Sequence, residues 1–526
     1  MKKLSLVLCI LMATLSLLTF VGCTQNQTTD SLVVYNWADY IYDYEDDFKA
    51  YYKEMTGKDI KITYVTFDTN ETMLTKITKG DSNVDIVCPS EYAIQKLMEL
   101  DYLVQLDYFD EAKYSKDITS TNYSHNGGNV DTKITAKIQE SFGNINGKNM
   151  LDYMVPYMYG TLGILYNKYQ FMELGIYDQE VMNQANWGIL FNDNGNGELL
   201  SEKLTGQILM KDSIRDTYAA TVFYLLESGK LDGLTDDNGN AYTDMSANTL
   251  INSVDDQLLE LVKDALTDQK QQLFGYEVDF GKDDLLKGNA IVDLAWSGDA
   301  LYAVEESWND SLGEEGDYEL SYYVPNGAGN IWFDGWVIPK TYNPDHIEAI
   351  KLFINFLNNP SCGAENMMEI GYSSAVSPDA ILADNDAKAV LAEAYCVDAP
   401  ELLDAETYAE LAKDGFDYDS WDDFEEEFFH YCDEMDGTNW RYPMETDFDS
   451  VFNQQHNRNA TTFGVMRDFG DKNKDVVTTW NYVRSAGFSA VPLFLWMIVA
   501  VAVVVGGAFF IHFLVERSRH KVKIQK

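Results

Sequence analysis

The stretch that decides the fold runs from residue 32 to residue 98. It opens with Leu32-Val33-Val34-Tyr35, and its last strand reads Val84-Asp85-Ile86-Val87-Cys88-Pro89-Ser90. The first four residues are apolar and strand-like. Residues 44–55 then carry Tyr44, Phe48, Tyr51, Tyr52 and Met55 at helical spacing. Residues 60–65 alternate as a second strand. Residues 71–78 predict a helix behind an Asn70 cap. Residues 84–88 form a third strand, stopped at Pro89, and residues 91–98 open the next helix. Strand–helix alternation of this kind predicts an α/β architecture with a mainly parallel sheet.

Further along, residues 153–159 and 162–166 predict two strands, and residues 206–210 and 290–296 one strand each. Residues 331–338 predict a strand broken at Gly335. Residues 217–227 and 346–357 predict helices, the second entered through Asn343-Pro344. About 460 residues outside the two ends are too many for one core, so two lobes are expected. Asn192, Asn194, Asn196 and Gly197 imitate part of a calcium loop, but Lys203 stands where a bidentate Glu belongs, so a polar turn is expected. Residues 417–427 are a charge run, with Trp421, Phe424 and Phe428 at helical spacing; they predict an amphipathic helix with an acidic outer face.

A pattern of another kind occurs twice. Trp37 stands two residues before Asp39, and Trp332 two residues before Asp334. On a strand, residues i and i+2 face one side, so ring and carboxylate would share one space. The ring suits methylenes or the face of a cation, and the carboxylate suits an ammonium group. The bland alternatives are core packing for the rings and a helix cap for Asp39.

The two ends bound the location. Lys2 and Lys3 precede an apolar run that ends at Gly22-Cys23, so residues 1–23 predict a secretory signal. A small residue before a cysteine resembles a lipoprotein signal with Cys23 as the lipidated residue; an ordinary signal and an uncleaved anchor are the alternatives. Residues 488–514 are apolar over more than the ~20 residues a membrane span requires. Residues 515–526 carry Arg517, Arg519, Lys521, Lys523 and Lys526 against Glu516 alone. A basic flank marks the cytoplasmic side, so the ectodomain is expected outside the cell membrane.

The formal charge is −47. The signal and tail are both basic, so the part between them is more acidic still. Such a field repels nucleic acid and attracts cations, although solubility alone would account for much of it. Cys88, Cys362, Cys396 and Cys432 are scattered; a Cys396–Cys432 bridge is compatible with an extracellular setting, but spacing does not establish it. No spacing resembles a zinc site and the six histidines form no metal pattern, so no metal or cofactor is expected. No Gly-x-Ser-x-Gly elbow is present either, which speaks against an enzyme.

With these residues laid out, the chain resembles the spermidine/putrescine-binding proteins of polyamine ABC transporters. The resemblance rests on ordered segments: Tyr35-Asn36-Trp37-Ala38-Asp39-Tyr40, Thr69-Asn70-Glu71-Thr72-Met73, Asp85-Ile86-Val87-Cys88-Pro89-Ser90-Glu91-Tyr92, Val155-Pro156-Tyr157, Lys211-Asp212-Ser213-Ile214-Arg215-Asp216, Ala295-Trp296-Ser297-Gly298, Trp332-Phe333-Asp334 and Ile370-Gly371-Tyr372. It implies the two-lobed periplasmic binding protein type II fold, with two hinge strands and a cleft between the lobes. Lobe one is then expected over 30–155 and 335–385, and lobe two over 156–334 and 386–480. It further implies an aromatic box of Trp37, Tyr40, Trp296, Trp332 and Tyr372, with Asp39 and Asp334 holding ammonium groups. Ser90 and Tyr92 would contribute from the loop after the third strand, and Asp216 matches a family carboxylate. Where some members carry a second acid, this chain has Ser213, with Asp212 one step earlier. The chain is longer than typical members around 107–149 and beyond Ser374.

The function expected is a membrane-tethered receptor that captures a polyamine and passes it to a separate ABC permease with a cytoplasmic ATPase. The chain has no Gly-x-x-x-x-Gly-Lys-Ser/Thr loop, so energy must come from partner chains. The alternatives are a binder of another small solute, or a ligand-sensing subunit that signals through a partner.

Overall fold

The computed structural model describes residues 29–80, 83–106, 128–175, 186–194, 198–307, 320–325, 327–416, 418–430 and 462–486. The signal with Cys23, Cys432, and the expected span and tail at 488–514 and 515–526 lie outside the described residues. Among the described residues, no helix is long and apolar enough to cross a membrane.

The eleven described strands form one sheet. They are β1 (Asp30–Asn36), β2 (Ile60–Thr66), β3 (Ile86–Val87), β4 (Met154–Asn167), β5 (Ile208–Lys211), β6 (Leu273–Glu277), β7 (Val292–Trp296), β8 (Leu320–Tyr323), β9 (Ala328–Val337), β10 (Ser373–Ser374) and β11 (Thr462–Gly464). The main order is β2-β1-β3-β9-β4-β7-β5-β6. At one end β1 pairs parallel with β2 and β3, and at the other β5 pairs parallel with β6 and β7. Between them β4 and β9 run antiparallel, from Met154 opposite Val337 to Leu162 opposite Asn330. Every residue of these two long strands is buried. That burial explains their near-continuous apolar sequence.

Two expected breaks are absent. Residues 153–159 and 162–166 belong to one strand, β4, and Gly335 lies within an unbroken β9. Both glycines answer close approaches: a Cβ on Gly160 would strike Ser297 and Trp332, and one on Gly335 would strike Met154. The irregularity falls at Pro156 instead, where the β4–β9 register shifts; proline offers no N–H to the ladder.

Helices cover the sheet. Glu45–Thr56 and Ile347–Leu357 bury Phe48, Tyr52 and Phe353 against Leu32, Val34 and Trp336. Asn70–Thr78, Glu91–Glu99 and Thr132–Phe142 bury Met73, Ile77, Leu97 and Ile138 in a second cluster. At the far end, the helix Ile214–Glu227 is buried almost all round, packed with Asp256–Gln269 and Asn473–Ser485. A third cluster joins Pro360–Ile370 to Asn385–Ala394 and Trp421–His430 through Met367, Leu391 and Phe424. Residues 386–424 therefore pack with the expected first lobe rather than with the second. Their periodicity identifies helices but not the surface that receives them. Asn473–Ser485 does pack with the second-lobe helices.

One cap also moves. Thr69, not Asn70, caps the helix Asn70–Thr78, its side chain accepting from the Thr72 N–H. The Asn70 side chain is released for another task.

Candidate functional site

Where β4 and β9 pass between the two parallel groups, a cavity opens with an empty volume of about 860 Å³, its mouth included. Its walls come from both ends of the sheet. Trp37 to Tyr40 follow β1, Ser90 to Tyr92 follow β3, Ser213 and Asp216 follow β5, Val278, Asp279 and Lys282 follow β6, Trp296 ends β7 and Asp299 follows it. Trp332 and Asp334 project from β9, and Tyr372 follows the helix Pro360–Ile370.

Trp332 and Asp334 both line the cavity, as period-2 geometry on β9 requires. Phe333 between them is fully buried elsewhere in the core. The other ring–acid pair reaches the same space by a different route. Residues 38 and 39 form a turn and Asp39 has φ 46°, so Trp37 and Asp39 do not share a strand face. The Trp37 ring packs on Phe67, centroids 4.4 Å apart. Tyr372 stands edge-on to Tyr40 at 5.2 Å and to Trp332 at 5.4 Å. Gly298 makes room for Tyr372, whose ring occupies the place a Cβ would take.

The acids are deeply placed. Asp334 is 5 % exposed. Burial pushes its carboxyl up to about 7, and neighbouring Asp216 adds to this, while the Ser90 and Tyr40 hydroxyls draw it back. Its Oδ1 has no hydrogen-bond partner. Burial also raises Asp216, against the pull of Ser213, of the Trp296 indole N–H and of the cations Lys211 and Arg215. The Trp296 Nε1–H donates to Asp216 Oδ1 at 3.3 Å. Burial raises Glu71 and Glu91 as well.

A polar frame fixes this end. Asn70 Nδ2 donates to Ser90 Oγ at 3.0 Å and to the Tyr92 hydroxyl at 3.1 Å. Asn70 Oδ1 accepts from the Ser90 N–H. Ser90 forms a bridge with Asp334, and Glu91 Oε2 accepts the Phe333 N–H at 3.0 Å. The loop after β3 is thus laced to the strand that carries Asp334.

Beneath Trp296 lies Lys211, 1 % exposed, its Nζ 4.3 Å from the ring centroid. It pairs with Glu277 Oε1 at 2.5 Å and donates to the Val278 carbonyl at 3.0 Å. Burial works to lower Lys211, but Glu277 and Asp293 outweigh it and hold the ammonium above its ordinary range. Beyond Trp296 the wall carries Asp279, pushed up to about 6 by burial and by Asp299, and Lys282, which donates to Asp299 at 3.2 Å.

Eleven of the twelve residues singled out from sequence line this one cavity: Trp37, Asp39, Tyr40, Ser90, Tyr92, Ser213, Asp216, Trp296, Trp332, Asp334 and Tyr372. Asp212 does not. Lys211, the last residue of β5, turns toward Trp296, and Asp212, one residue past the strand, pairs with Arg484. Sequence reasoning missed Asp68, Glu71, Glu91, Asp279, Lys282 and Asp299, which also line it. Glu71 and Glu91 lay inside segments already picked out, and Asp299 lies one residue beyond another. Nothing marked Asp279 or Lys282. Among the described residues, no cluster of His, Cys, Asp and Glu is arranged to hold a metal ion. The chemistry available is recognition: packed aromatic rings, buried carboxylates and, among the described lining residues, one basic group.

Comparison with known proteins gives a consistent family. Residues 47–394 match the family of bacterial extracellular solute-binding proteins. A putrescine-binding periplasmic protein of Pseudomonas aeruginosa is 26 % identical over 65 % of this chain and 78 % of its own length. The spermidine/putrescine-binding periplasmic protein of Escherichia coli is 22 % identical over 65 % of this chain and 77 % of its own. Among solved structures, a lipoprotein of Treponema pallidum matches with a TM-score of 0.51 at 16 % identity, over 86 % of this chain and 99 % of its own; the likeness carries the periplasmic binding protein fold. This chain belongs to the bacterial extracellular solute-binding proteins and is a binding protein rather than an enzyme.

Proposed function

We propose that this protein binds a polyamine, putrescine or spermidine, in the cavity between two lobes and delivers it to an ABC permease with a cytoplasmic ATPase. The observation that carries the reading is Asp334: a buried carboxylate with an unpartnered oxygen, on the cavity wall beside the rings of Trp332 and Tyr372. A linear amine fits both parts. A buried methylene contributes ~0.8 kcal/mol, so a four-carbon spacer gives roughly 3 kcal/mol. A desolvated cation–π contact adds ~0.5–2 kcal/mol. Trp37, Tyr40, Trp296, Trp332 and Tyr372 box the methylenes, Asp334, Asp216 and Asp39 take ammonium groups, Ser90 orients the first of these acids, and Tyr92 holds Glu71. The names of several relatives, putrescine-binding and spermidine/putrescine-binding, favour the same ligand class.

The receptor is held at the outer face of the cell membrane by the apolar segment 488–514, with the basic tail 515–526 inside. The signal at 1–23 directs export, and Cys23 is a second anchor if lipidated. The sequence of these segments supports this arrangement. The test is calorimetric titration of the full chain in detergent with putrescine, spermidine and spermine, with glutamate and glucose as controls. One-site binding of a polyamine at micromolar or tighter affinity is expected. Folded, ligand-free protein that takes up none of the three refutes the reading.

A further inference from the structure

Among the described residues that line the cavity, Lys282 alone carries a basic side chain. It is the second residue of the short helix Gly281–Leu286 that follows β6, and the start of that helix is pinned. The Gly281 N–H donates to Glu277 Oε2 at 2.8 Å, and Glu277 in turn holds the buried Lys211. Gly281 has no room for a side chain, because Asp293 and Glu277 occupy the space a Cβ would take. From this anchored helix start Lys282 reaches Asp299, Nζ to Oδ1 3.2 Å, with the Tyr302 ring centroid 5.4 Å from the same nitrogen. The pair is largely shielded, its side chains 23 % and 15 % exposed.

Asp299 also faces the hydroxyl of Tyr372, whose ring packs on Tyr40 and Trp332 beside Asp334. Tyr372 therefore connects the two charged parts of one cavity. The Asp334 part has an acceptor with no partner. The Asp299 part already holds an ammonium group supplied by the chain itself. The arrangement is asymmetric, and the sequence explains it only through Lys282.

We propose that Lys282 is a specificity-determining residue: its ammonium group occupies the Asp299 end of the cavity as a built-in substitute for one amine of the ligand, so that the site favours a short diamine over longer polyamines. The inference rests on the amine reading above. A ligand whose extra aminopropyl arm reached Asp299 would have to displace Lys282 or lie against its charge, and repulsion between two cations a few ångströms apart in a shielded space is large. A ligand that ends short of Asp299 meets no such charge.

The test uses the full chain in three forms, wild type, Lys282→Met and Lys282→Arg, each titrated with putrescine and with spermidine. Lys282→Met removes the charge and keeps the length. It should tighten spermidine by about tenfold or more relative to putrescine, the size expected for one shielded charge. Lys282→Arg keeps the charge and should retain the wild-type ratio. Equal changes for both amines in Lys282→Met, or a loss of preference in Lys282→Arg as large as in Lys282→Met, overturn the proposal and leave polyamine binding intact. Failure of the wild-type chain to bind either amine overturns the amine reading and this inference with it. Thermal melts of the variants identify a folding defect, and if Lys282→Met does not fold, Lys282→Gln serves in its place under the same criteria.

Discussion

Replacing Asp334 by Asn separates the two costs this residue carries, one in stability and one in binding. In the unfolded chain its carboxyl titrates near 3.8, and in the folded cavity near 7. The folded state therefore holds the proton more tightly. Between those two values it binds more protons than the unfolded state, so stability falls as pH rises from about 4 to about 7. The separation is about three pH units, and at 1.36 kcal/mol per unit the ionised group costs on the order of 4 kcal/mol above pH 7. Asp334→Asn removes that term, and the ligand-free variant should unfold at a higher denaturant midpoint than wild type at pH 8, with the difference closing toward pH 4. Binding should move the other way. A hydrogen bond from an ammonium to a carboxylate contributes ~1.5–3 kcal/mol, so the variant should bind putrescine about 2 kcal/mol more weakly. In wild type, amine binding requires the ionised form, so affinity should fall by up to about tenfold per unit as pH drops below 7; this slope should flatten in the variant. Calorimetry from pH 5.5 to 8.5 with parallel urea unfolding reads all three effects. Unchanged affinity in Asp334→Asn, or an undiminished pH slope, refutes the assignment of Asp334 to the amine.

Lys211→Met leaves Glu277 buried without its partner, and breaking a buried pair costs ~3–5 kcal/mol; chemical denaturation should show that loss, with most of it recovered in Lys211→Met/Glu277→Leu. Asp212→Asn breaks only the half-exposed pair with Arg484, worth ~0–1 kcal/mol, and titration should find putrescine affinity within about twofold of wild type; a larger loss would return Asp212 to the site. Asn70→Ala removes the donor shared by Ser90 and Tyr92, and calorimetry should read ~1 kcal/mol of lost affinity with little change in the urea midpoint. Raising salt should slow association in stopped-flow fluorescence far more than dissociation, because the net charge of −47 acts at long range and is screened, whereas contacts inside the cavity are not.

Much of the site was legible because strand geometry is local. Trp332 and Asp334 share a face by the period of β9. The Trp37–Asp39 pair has the same spacing but a different backbone, a turn with Asp39 at positive φ; both residues reach the cavity, and not by strand periodicity. Asn70 looked like a cap because its type suits one, yet Thr69 beside it takes that role and Asn70 binds Ser90 and Tyr92. What was not legible depends on distant pairing. Asp279 and Lys282 enter the cavity because β6 is third in the row β7-β5-β6, an order no local pattern encodes. Residues 386–424 show helical period plainly, but their docking on Pro360–Ile370 is set by a match of apolar surfaces far apart in sequence.

The distribution of unpaired polar atoms explains why such a cavity is built at a cost. Most buried polar groups in a folded protein find partners. Here Asp334 Oδ1 and Glu91 Oε1 lack one, and both residues line the same space. Each such atom costs ~1–3 kcal/mol while it stays unmet. The Trp296 indole N–H is already given to Asp216, and the faces of the aromatic rings offer no countercharge to a carboxylate. A protein lysine could, and at Asp299 one does. At Asp334 the chain supplies hydroxyl groups and no cation, so the remaining interaction is left for a molecule that brings its own. The walls that such a molecule would touch come from both ends of the sheet and are joined by β4 and β9. A ligand that satisfies Asp334 and Asp216 together is bound by residues from both, and its affinity is then also the free energy that holds the two ends against one another. Charge complementarity at a few buried atoms, rather than the acidity of the whole surface, is what would convert capture of a small cation into a closed form that a membrane partner can recognise.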